Sequence, residues 1–433
     1  MTKPANHCSF TVGSTIRPAA FAFLLALALV VTTSQVTQAQ TFQVLYNFTG
    51  GSDGGGPNGV AIDRNGNLYG STLGPGNCVN GGVCGGVFKL SRRGSGWILS
   101  SLYHFRGGDD GSWPNAGVTI GPDGTLYGTT TAGGGGPCTY AGIPGCGTVY
   151  HMQPPAHVCQ AVSCPWDETV LYAFQGGTDV GNPYNEVTFD ATGNLYGAVT
   201  YGGVFPYGGG VYSLTRSQGG WTYNLLYEFP GSPNGGESFA PLLFDQAGNI
   251  LGTTLQGGTD GDGVVFKMVP SASGWSESVV HSFGYVPDAG GPFAGLISDS
   301  AGNLYGTTIG GGVHDNGAVY ELSPTNGGYN YSVIYGGFYF PLNGNGGPRG
   351  GLVMDAAGNL YGTAYVVGRH GQGEIFELSP SANGWTFTDL HDFDVSDGTG
   401  PQGDLGIDNN GNIYGVTVGG GAHGYGIIWE ITP

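Results

Sequence analysis

The chain has 433 residues, and its 89 glycines with only 9% charged residues would suit a low-complexity tail. Its 39% hydrophobic and 12% aromatic residues are enough to bury a core, however, and they exclude a disordered chain. Acidic residues outnumber basic residues by 30 to 11, which gives a formal net charge of −19. An acidic surface repels phosphate, so nucleic acid and anionic lipid are excluded as partners.

The first forty residues have the features of a secretory signal. Lys3 and Arg17 precede an apolar run over residues 19–31, and residues 37–39 form a small-residue cleavage pattern. The apolar run is too short to span a bilayer comfortably, and no later apolar stretch approaches the length of a transmembrane helix. We therefore expect a signal peptide over residues 1–40 and no membrane span after its cleavage; an uncleaved anchor is the alternative.

One motif recurs seven times after this segment. Its first copy, residues 63–70, reads Asp-Arg-Asn-Gly-Asn-Leu-Tyr-Gly, and the tyrosine or its equivalent returns at steps of 53 to 69 residues. The other copies begin at Asp123, Asp190, Asp245, Asp299, Asp355 and Asp408. A period of this length indicates a repeat architecture.

Each period contains four short stretches that read as β-strands, and none has helical periodicity. In the fifth repeat they are residues 293–298, 303–308, 318–323 and 329–335. A turn from Asp to Asn that contains glycine joins the first two strands as a tight hairpin. Four antiparallel strands make a propeller blade, so we predict a single all-β domain over residues 41–433, a seven-bladed β-propeller.

The two ends of the predicted ring complement each other. The seventh repeat stops after its third strand, residues 426–432, whereas residues 42–48 match the fourth-strand pattern at residues 102–105, 171–174 and 226–229. An unpaired edge strand promotes aggregation, and pairing the N-terminal strand with the last repeat would remove that edge. We predict ring closure by the N-terminal strand; an open β-solenoid is the alternative.

Six cysteines follow the signal and fall into three close pairs. The pairs are Cys78 with Cys84, Cys138 with Cys146, and Cys159 with Cys164. An even number with local pairing in an exported chain predicts three disulfides that staple loops. Zinc is the alternative, but no pair has CxxC spacing and the pairs lie in different loops.

Several motifs in a fixed order give the chain a family resemblance. GNLYGTT, GVVFK, GAVYELSP and an LYxF strand followed by GGxDGxxP resemble the GloVer tandem repeat of bacterial choice-of-anchor proteins, over essentially all of residues 42–432. The resemblance implies an exported cell-surface or secreted protein without an assigned activity. Such proteins often end in an anchoring tail, whereas this chain ends on a strand, so we expect release into the periplasm or the medium.

Candidate ligand-binding residues lie on the ring face that carries the loops after the second and fourth strands. They are Asp109, Asp110, Trp113, Tyr184, His314, His370 and His423. The first three share one loop, and the two aromatic residues are suited to stacking on a ligand. The histidines occupy one aligned position in three successive blades, where ring geometry would keep them too far apart to bind one ion. We therefore predict loop-lining histidines and no metal site.

Aspartates recur in the glycine-rich loops of the same face. They are Asp53, Asp109, Asp110, Asp179, Asp288 and Asp397. Capping of their own turns is the preferred interpretation, and calcium binding is the alternative. Tryptophans recur near the start of the fourth strand, at Trp97, Trp166, Trp221, Trp275 and Trp385, and their position fits packing between blades.

No catalytic motif is present in the sequence, because a nucleophile elbow, an HExxH sequence and a P-loop are all missing. We expect a monomeric, non-enzymatic binding module without a cofactor, whose partner is an extracellular glycan or an envelope protein. A propeller enzyme of the lyase, lactonase or glycosidase type is the alternative, and a cavity at the ring axis lined by polar residues would favour it. A structural component of the cell envelope is the third hypothesis.

Overall fold

The computed structural model describes Met1 and residues 40–74, 84–156, 164–205, 208–272, 274–284, 286–340 and 346–432. The predicted signal segment, and with it the predicted cleavage pattern, lies outside these residues apart from its two ends. Among the described residues, no helix is long and apolar enough to cross a membrane.

Seven antiparallel sheets of four strands form the blades of a β-propeller, as predicted. Blade 1 contains Gly55–Ile62, Leu68–Gly74, Gly86–Arg93 and Gly96–His104; blade 2 contains Thr119–Ile120, Leu126–Thr130, Thr148–Gln153 and Asp167–Ala173; blade 3 contains Thr188–Phe189, Leu195–Val199, Gly210–Ser217 and Gly220–Glu228. Blade 4 contains Leu243–Phe244, Ile250–Thr254, Val264–Ser271 and Gly274–Ser282; blade 5 contains Ile297–Ser298, Leu304–Thr308, Ala318–Thr325 and Gly328–Tyr335; blade 6 contains Val353–Met354, Leu360–Ala364, Glu374–Ser381 and Gly384–Asp392.

The N-terminal strand closes the ring. Blade 7 contains Gly406–Ile407, Ile413–Gly419 and Ile427–Thr432, and its fourth strand is Thr41–Asn47. The terminal strands pair antiparallel from Thr41 opposite Thr432 to Asn47 opposite Ile427. The predicted closure is therefore confirmed.

A few short elements lie outside the four-stranded pattern. They are the strands Thr139–Tyr140, Ile143–Pro144, Ala289–Gly290, Gly310–Gly311 and Thr399–Pro401, and the 3-10 helix Gly177–Asp179. The first two pair with each other as a small hairpin within the blade 2 insertion.

The recurring Asp-to-Asn turn joins the first strand of a blade to the second. In blade 1 an Asp63 carboxylate oxygen accepts hydrogen bonds from the backbone N–H of Asn65 and Asn67, at 2.8 and 2.9 Å, and Tyr69 donates its hydroxyl to the other oxygen at 3.1 Å. Burial alone would raise the pKa of Asp63, but these bonds lower it below its usual value. The turn thus satisfies its own polar groups and fixes the hairpin.

The glycine of each Leu-Tyr-Gly sequence lies under an aromatic ring of the third strand. A Cβ atom on Gly70 would stand 2.6 Å from the Phe88 ring, and one on Gly415 would stand 2.2 Å from Trp429. The same contact recurs in all seven blades, so a side chain at this position would displace the largest buried rings of the core.

Neighbouring blades pack through the recurring tryptophans. The ring centres of Trp221 in blade 3 and Tyr127 in blade 2 lie 6.5 Å apart, and those of Trp385 in blade 6 and Tyr305 in blade 5 lie 5.8 Å apart. Trp166 and Trp275 make the equivalent contacts, at 6.3 and 6.4 Å. The predicted packing role of these tryptophans is confirmed.

The innermost strand has only two residues in each of blades 2 to 7, and in blade 5 it is shorter than predicted. In blade 5 the first strand covers Ile297–Ser298, whereas the sequence suggested residues 293–298. Near the axis the chain bonds to neighbouring blades instead of its own sheet: the Val60 N–H donates to the Asp404 carbonyl at 3.0 Å, and the Thr119 hydroxyl donates to the Val187 carbonyl at 2.6 Å. These residues tie the blades together and line the axis.

Candidate functional site

One side chain from each blade surrounds the axis on the face that carries the loops after the second and fourth strands, which we call the loop face. These seven residues form the axial mouth: Asn58, Asn115, Tyr184, Phe239, Phe293, Arg349 and Gln402. Six of them lie four residues before the first strand of their blade, and Asn58 lies within the longer first strand of blade 1. The repeat itself therefore places the seven side chains around one opening. A cavity of about 80 Å³ lies beneath the mouth.

Three consecutive blades supply aromatic residues to the mouth. The rings of Phe239 and Phe293 stack at 4.9 Å with an angle of 16°, and Tyr184 meets Phe239 edge-on at 5.0 Å. All three side chains are partly exposed. They form an apolar arc on one side of the opening.

The blade 2 insertion extends this arc outward. Tyr140, in the hairpin of the insertion, lies 6.4 Å from the Tyr184 ring and 5.6 Å from the Trp113 ring. A disulfide between Cys138 and Cys146 closes the hairpin, with an S–S distance of 2.01 Å. The disulfide holds Tyr140 between Trp113 and Tyr184, the two predicted stacking residues. The predicted pairing of Cys138 with Cys146 is confirmed.

The opposite side of the mouth is polar. Gln402 donates its amide to the Asn58 side-chain oxygen at 2.9 Å, and Asn115 donates to the Thr131 hydroxyl at 2.8 Å. The Arg349 guanidinium lies 3.9 Å from the centre of the Tyr365 ring, which holds its charge beside the opening. Asn58 is 2% exposed, and its side-chain nitrogen has no hydrogen-bond partner among the described residues. A buried donor without a partner favours a polar ligand or water in the cavity.

Two carboxyl groups lie deeper on the axis, below the mouth. Glu186 accepts a hydrogen bond from the Gly117 N–H at 2.7 Å, and Asp404 accepts one from the Gly351 N–H at 3.2 Å. Both carboxyl residues line the cavity under the mouth and a second cavity of about 340 Å³ on the hairpin side of the ring. They therefore mark the boundary between the two halves of the axial channel.

The protonation of these carboxyls is altered by their surroundings. Burial first, and then the charge of Asp404, raises the pKa of Glu186 to about 8. Burial also raises the pKa of Asp404, against the opposing hydrogen bond from Gly351. Each of the two side chains is half-buried, but protein surrounds the pair on the channel axis. The protonated, uncharged form of a carboxyl group is therefore favoured there near neutral pH.

The structure separates the predicted ligand-binding residues into two groups. Tyr184 belongs to the mouth, and Trp113 adjoins it through Tyr140. Asp110 accepts hydrogen bonds from the Tyr103 hydroxyl at 3.0 Å and the Arg106 N–H at 2.9 Å, so it caps its own loop. Asp109 is exposed in the same loop and makes no contact with the mouth.

The three predicted histidines are exposed on outer loops of the same face and do not converge. His314 contacts Tyr339 at 5.3 Å, whereas His370 and His423 have no ring contact within the described residues. In the part of the chain that the structure describes, the one set of three ligand-type side chains within 4.8 Å of one another contains no histidine.

Several loop aspartates accept hydrogen bonds from the backbone of their own loops. The N–H groups of Thr49, Gln175 and Gly284 donate to Asp53, Asp179 and Asp288, respectively. Asp397 accepts a hydrogen bond from the Asp394 N–H at 2.8 Å and is also bonded to His391, at 3.0 Å. These bonds are of the turn-capping kind that the sequence suggested.

The other two predicted disulfides lie partly outside the described residues. Cys84 and Cys164 are disulfide-bonded, but their predicted partners, Cys78 and Cys159, fall in segments that the structure does not describe. These two pairings stay predictions.

Sequence reasoning found Tyr184 but missed the rest of the axial site: Asn58, Asn115, Phe239, Phe293, Arg349 and Gln402 of the mouth, together with Tyr140, Glu186 and Asp404. A signal for two of them was present, because Glu186 and Asp404 stand at an aligned position where the other five blades have Gly or Pro. Tyr140 gave no such signal, since it lies in an insertion that no other repeat contains.

Comparison with known proteins identifies the repeats and the fold. A family model described as the Gloeobacter/Verrucomicrobia repeat matches residues 136–344 and 240–433, which confirms the resemblance found in the motifs. A search of curated proteins finds no match.

Solved structures share the fold at low sequence identity. A fungal alcohol oxidase of the AA5 family, solved with copper, has a TM-score of 0.53 and 13% identity over 91% of this chain and 76% of its own. A putative 6-phosphogluconolactonase from Bacteroides uniformis ATCC 8492 has a TM-score of 0.50 and 14% identity over 81% and 88%. The extracellular domain of the putative one component system BT4673 from B. thetaiotaomicron has a TM-score of 0.50 and 11% identity over 90% and 40%. At these identities the likeness shows the propeller fold alone.

Proposed function

The chain belongs to the Gloeobacter/Verrucomicrobia repeat family, and we propose that this member is an exported, non-enzymatic binding module that takes an extracellular glycan at the axial mouth. The observation that carries the proposal is the division of the mouth into an aromatic arc and a polar half. The arc is formed by Tyr184, Phe239 and Phe293, and amide groups and Arg349 face it across the opening.

A sugar ring matches this division chemically. One face of a pyranose carries C–H groups that pack on aromatic rings, and its hydroxyls bond to amide, guanidinium and carboxyl groups. The cavity beneath the mouth is smaller than the roughly 300–1,000 Å³ of pockets that enclose small molecules. The ligand is therefore a glycan chain that lies across the mouth and inserts one group toward Asn58, and the stapled Tyr140 lengthens the surface on which it lies.

The test is a glycan array on the purified protein, followed by titration calorimetry with the best ligand. Replacing Phe239 by Ala or Arg349 by Gln should weaken binding at least about tenfold, since each removes one half of the recognition surface. The double variant Cys138→Ser and Cys146→Ser should weaken binding less, because it releases Tyr140 without removing it. Tyr425→Ala is the matched control, since this aromatic residue is 49% exposed and lies outside the mouth.

Two outcomes would contradict the proposal. Either no glycan binds above background, or a glycan binds with equal affinity to the protein and to the Phe239→Ala and Arg349→Gln variants. Melting temperatures of all variants show whether a loss of binding reflects a loss of folding.

An enzyme is the second candidate, and the carboxyl pair is the observation that favours it. A neutral acid beside a second carboxyl is the arrangement that general acid–base catalysis of glycosidic or lactone bonds uses, and Glu186 and Asp404 lie within the axial cavity. One experiment distinguishes a binding module from an enzyme. An enzyme would release product from the bound glycan or a lactone, and Glu186→Gln would abolish that release while binding persists; a binding module would show no release.

A further inference from the structure

A second polar site lies between blades 5 and 6, away from the mouth. We propose that Glu374, Asp389 and Asp392 bind a hard divalent cation, with calcium as the best fit. Each offers a carboxylate oxygen, and these oxygens all lie within 4.8 Å of one another. Calcium takes oxygen ligands at about 2.3–2.6 Å, so three oxygens around one ion stand at about this separation.

Strand pairing brings the three carboxylates together. Glu374 begins the third strand of blade 6 directly opposite Asp392, which ends the fourth strand. Asp389 is paired with Phe376, at the point where a bulge shifts the register. The backbone N–H of Arg369 donates to one Asp392 oxygen at 2.6 Å and so orients that carboxylate. The site is therefore built on strands and held by the backbone.

Glu374 supplies an observation separate from the clustering of charge. Its side chain is 8% exposed, and neither carboxylate oxygen has a hydrogen-bond partner among the described residues. Tyr335 of the neighbouring blade lines the same cavity as Glu374 and Asp389. A buried carboxylate without a donor is costly unless a cation or a proton neutralises it.

The repeat shows that blade 6 departs from the other blades at three positions of this site. The residues equivalent to Glu374 are Gly86, Thr148, Gly210, Val264, Ala318 and Ile427. Those equivalent to Asp389 are Val44, Ser101, Val170, Leu225, Val279 and Val333. The partner of Glu374 on the second strand is Ala364, where five blades have Thr and one has Val. Blade 6 therefore combines two acidic residues, Glu374 and Asp389, with the small Ala364, which leaves space beside Glu374.

The surroundings leave room for the remaining ligands of the ion. A cavity of about 450 Å³ opens beside Glu374 and Asp389, and water can complete a calcium shell there. Arg369 is the nearest competitor, with its Nε atom 3.9 Å from an Asp392 oxygen. Its side chain is 79% exposed, so the guanidinium can move into solvent when an ion binds.

The experiment uses the whole protein, stripped with EDTA and then titrated with calcium chloride near neutral pH, followed by calorimetry and by the melting temperature. The protein should bind one ion and melt at a higher temperature at about 1 mM calcium, the concentration range that extracellular calcium modules use. Glu374→Gln and Asp389→Asn should weaken calcium binding at least about tenfold, and Arg369→Ala should strengthen it. Asp394→Asn is the matched control, because it removes one exposed acidic charge close in sequence to Asp392 but outside the cluster.

Two results would overturn the proposal. In one, calcium leaves the melting temperature of the parent protein unchanged and calorimetry detects no binding, which would mean that a proton neutralises the cluster. In the other, the Glu374→Gln and Asp389→Asn variants respond to calcium as strongly as Asp394→Asn, which would place the ion elsewhere. Asp389 is exposed, so its variant folds even where replacement of the buried Glu374 does not.

Discussion

Glu186 shows how one residue gives a repeated scaffold a particular chemistry. The equivalent positions of five other blades are Gly59, Gly117, Pro241, Gly295 and Gly351, which carry no charge. On the axis a carboxyl group loses hydration from every side, and Asp404 adds a like charge, so its protonated form is favoured.

Replacing Glu186 by Gln should reduce the pH dependence of folding stability. A carboxyl whose folded pKa is about 8 holds its proton where the unfolded chain, with a pKa of 4.5, has lost it. The folded state then binds more protons, so the free energy of unfolding falls as pH rises from about 4.5 to about 8. Urea unfolding at several pH values should show this fall in the parent and a smaller fall in Glu186→Gln. Asp167→Asn, an exposed acidic control, should keep the parental slope; equal slopes in all three proteins would contradict the assignment.

For single residues, the sequence predicts those roles that depend on neighbours within the same repeat. The turn-capping role of Asp63 follows from its spacing to Asn67, because both partners lie within one turn. Arg349 and Tyr140 could not be placed in the mouth by the same reasoning. Arg349 shares the mouth with residues of the six other blades, and Tyr140 contacts Tyr184 of the next blade, so their role depends on how the blades are arranged around the axis.

Among the elements, the N-terminal strand has the greatest effect on the ring. The ring centre of Phe42 lies 3.7 Å from that of His391 in blade 6 and 6.4 Å from that of Trp429 in blade 7. The strand therefore covers the last sheet and also contributes to the interface with the preceding blade.

Deleting residues 41–47 should destabilise the protein and make it associate. Loss of Phe42 alone removes a partly buried aromatic ring that packs against the core of blades 6 and 7, which costs up to about 3 kcal/mol. The deletion also exposes the edge of the strand Ile427–Thr432, which can pair with another chain. Thermal unfolding and light scattering measure both effects, and Gln43→Glu, on the exposed side of the strand, is the control. A truncated protein that is as stable and monomeric as the parent would disprove ring closure as a source of stability.

The stapled hairpin of blade 2 was predictable only in part. The spacing of Cys138 and Cys146 predicted their disulfide, because eight residues form a short closed loop. The direction in which that loop points was not predictable, since it is determined by contacts of Tyr140 with residues of blades 2 and 3.

The whole molecule is a ring in which the number of blades, their order and their closure could be read from the repeat. Each repeat carries its own turn, its own glycine beneath a ring and its own interblade tryptophan or equivalent, so the fold needs little long-range information. The candidate site is different, because it arises where seven residues of five types, one from each blade, meet on the axis. Such a site depends on the closed ring, and the sequence indicates it only where a residue differs from its equivalents in the other repeats.

The acidity of the whole molecule predicts a response to salt. With a formal net charge of −19, the folded state is subject to self-repulsion. Raising ionic strength from about 0.01 M to 0.1 M shortens the Debye length from about 30 Å to about 10 Å and screens this repulsion. The melting temperature should therefore rise with sodium chloride, measured in EDTA so that bound calcium does not contribute. A melting temperature that falls with salt would show that attractive ion pairs dominate instead.

The pairing of Asn47 with Ile427 has a consequence for the order of events during synthesis. A ribosome makes residues 41–47 first among the blade strands, yet their partner is made 380 residues later. Six blades can assemble on the growing chain while this first strand waits without a sheet, and the seventh is completed only when the last strand emerges. Until the strand Ile427–Thr432 is made, the strand Thr41–Asn47 has no partner, so the pairing that closes the ring joins two segments made far apart in time.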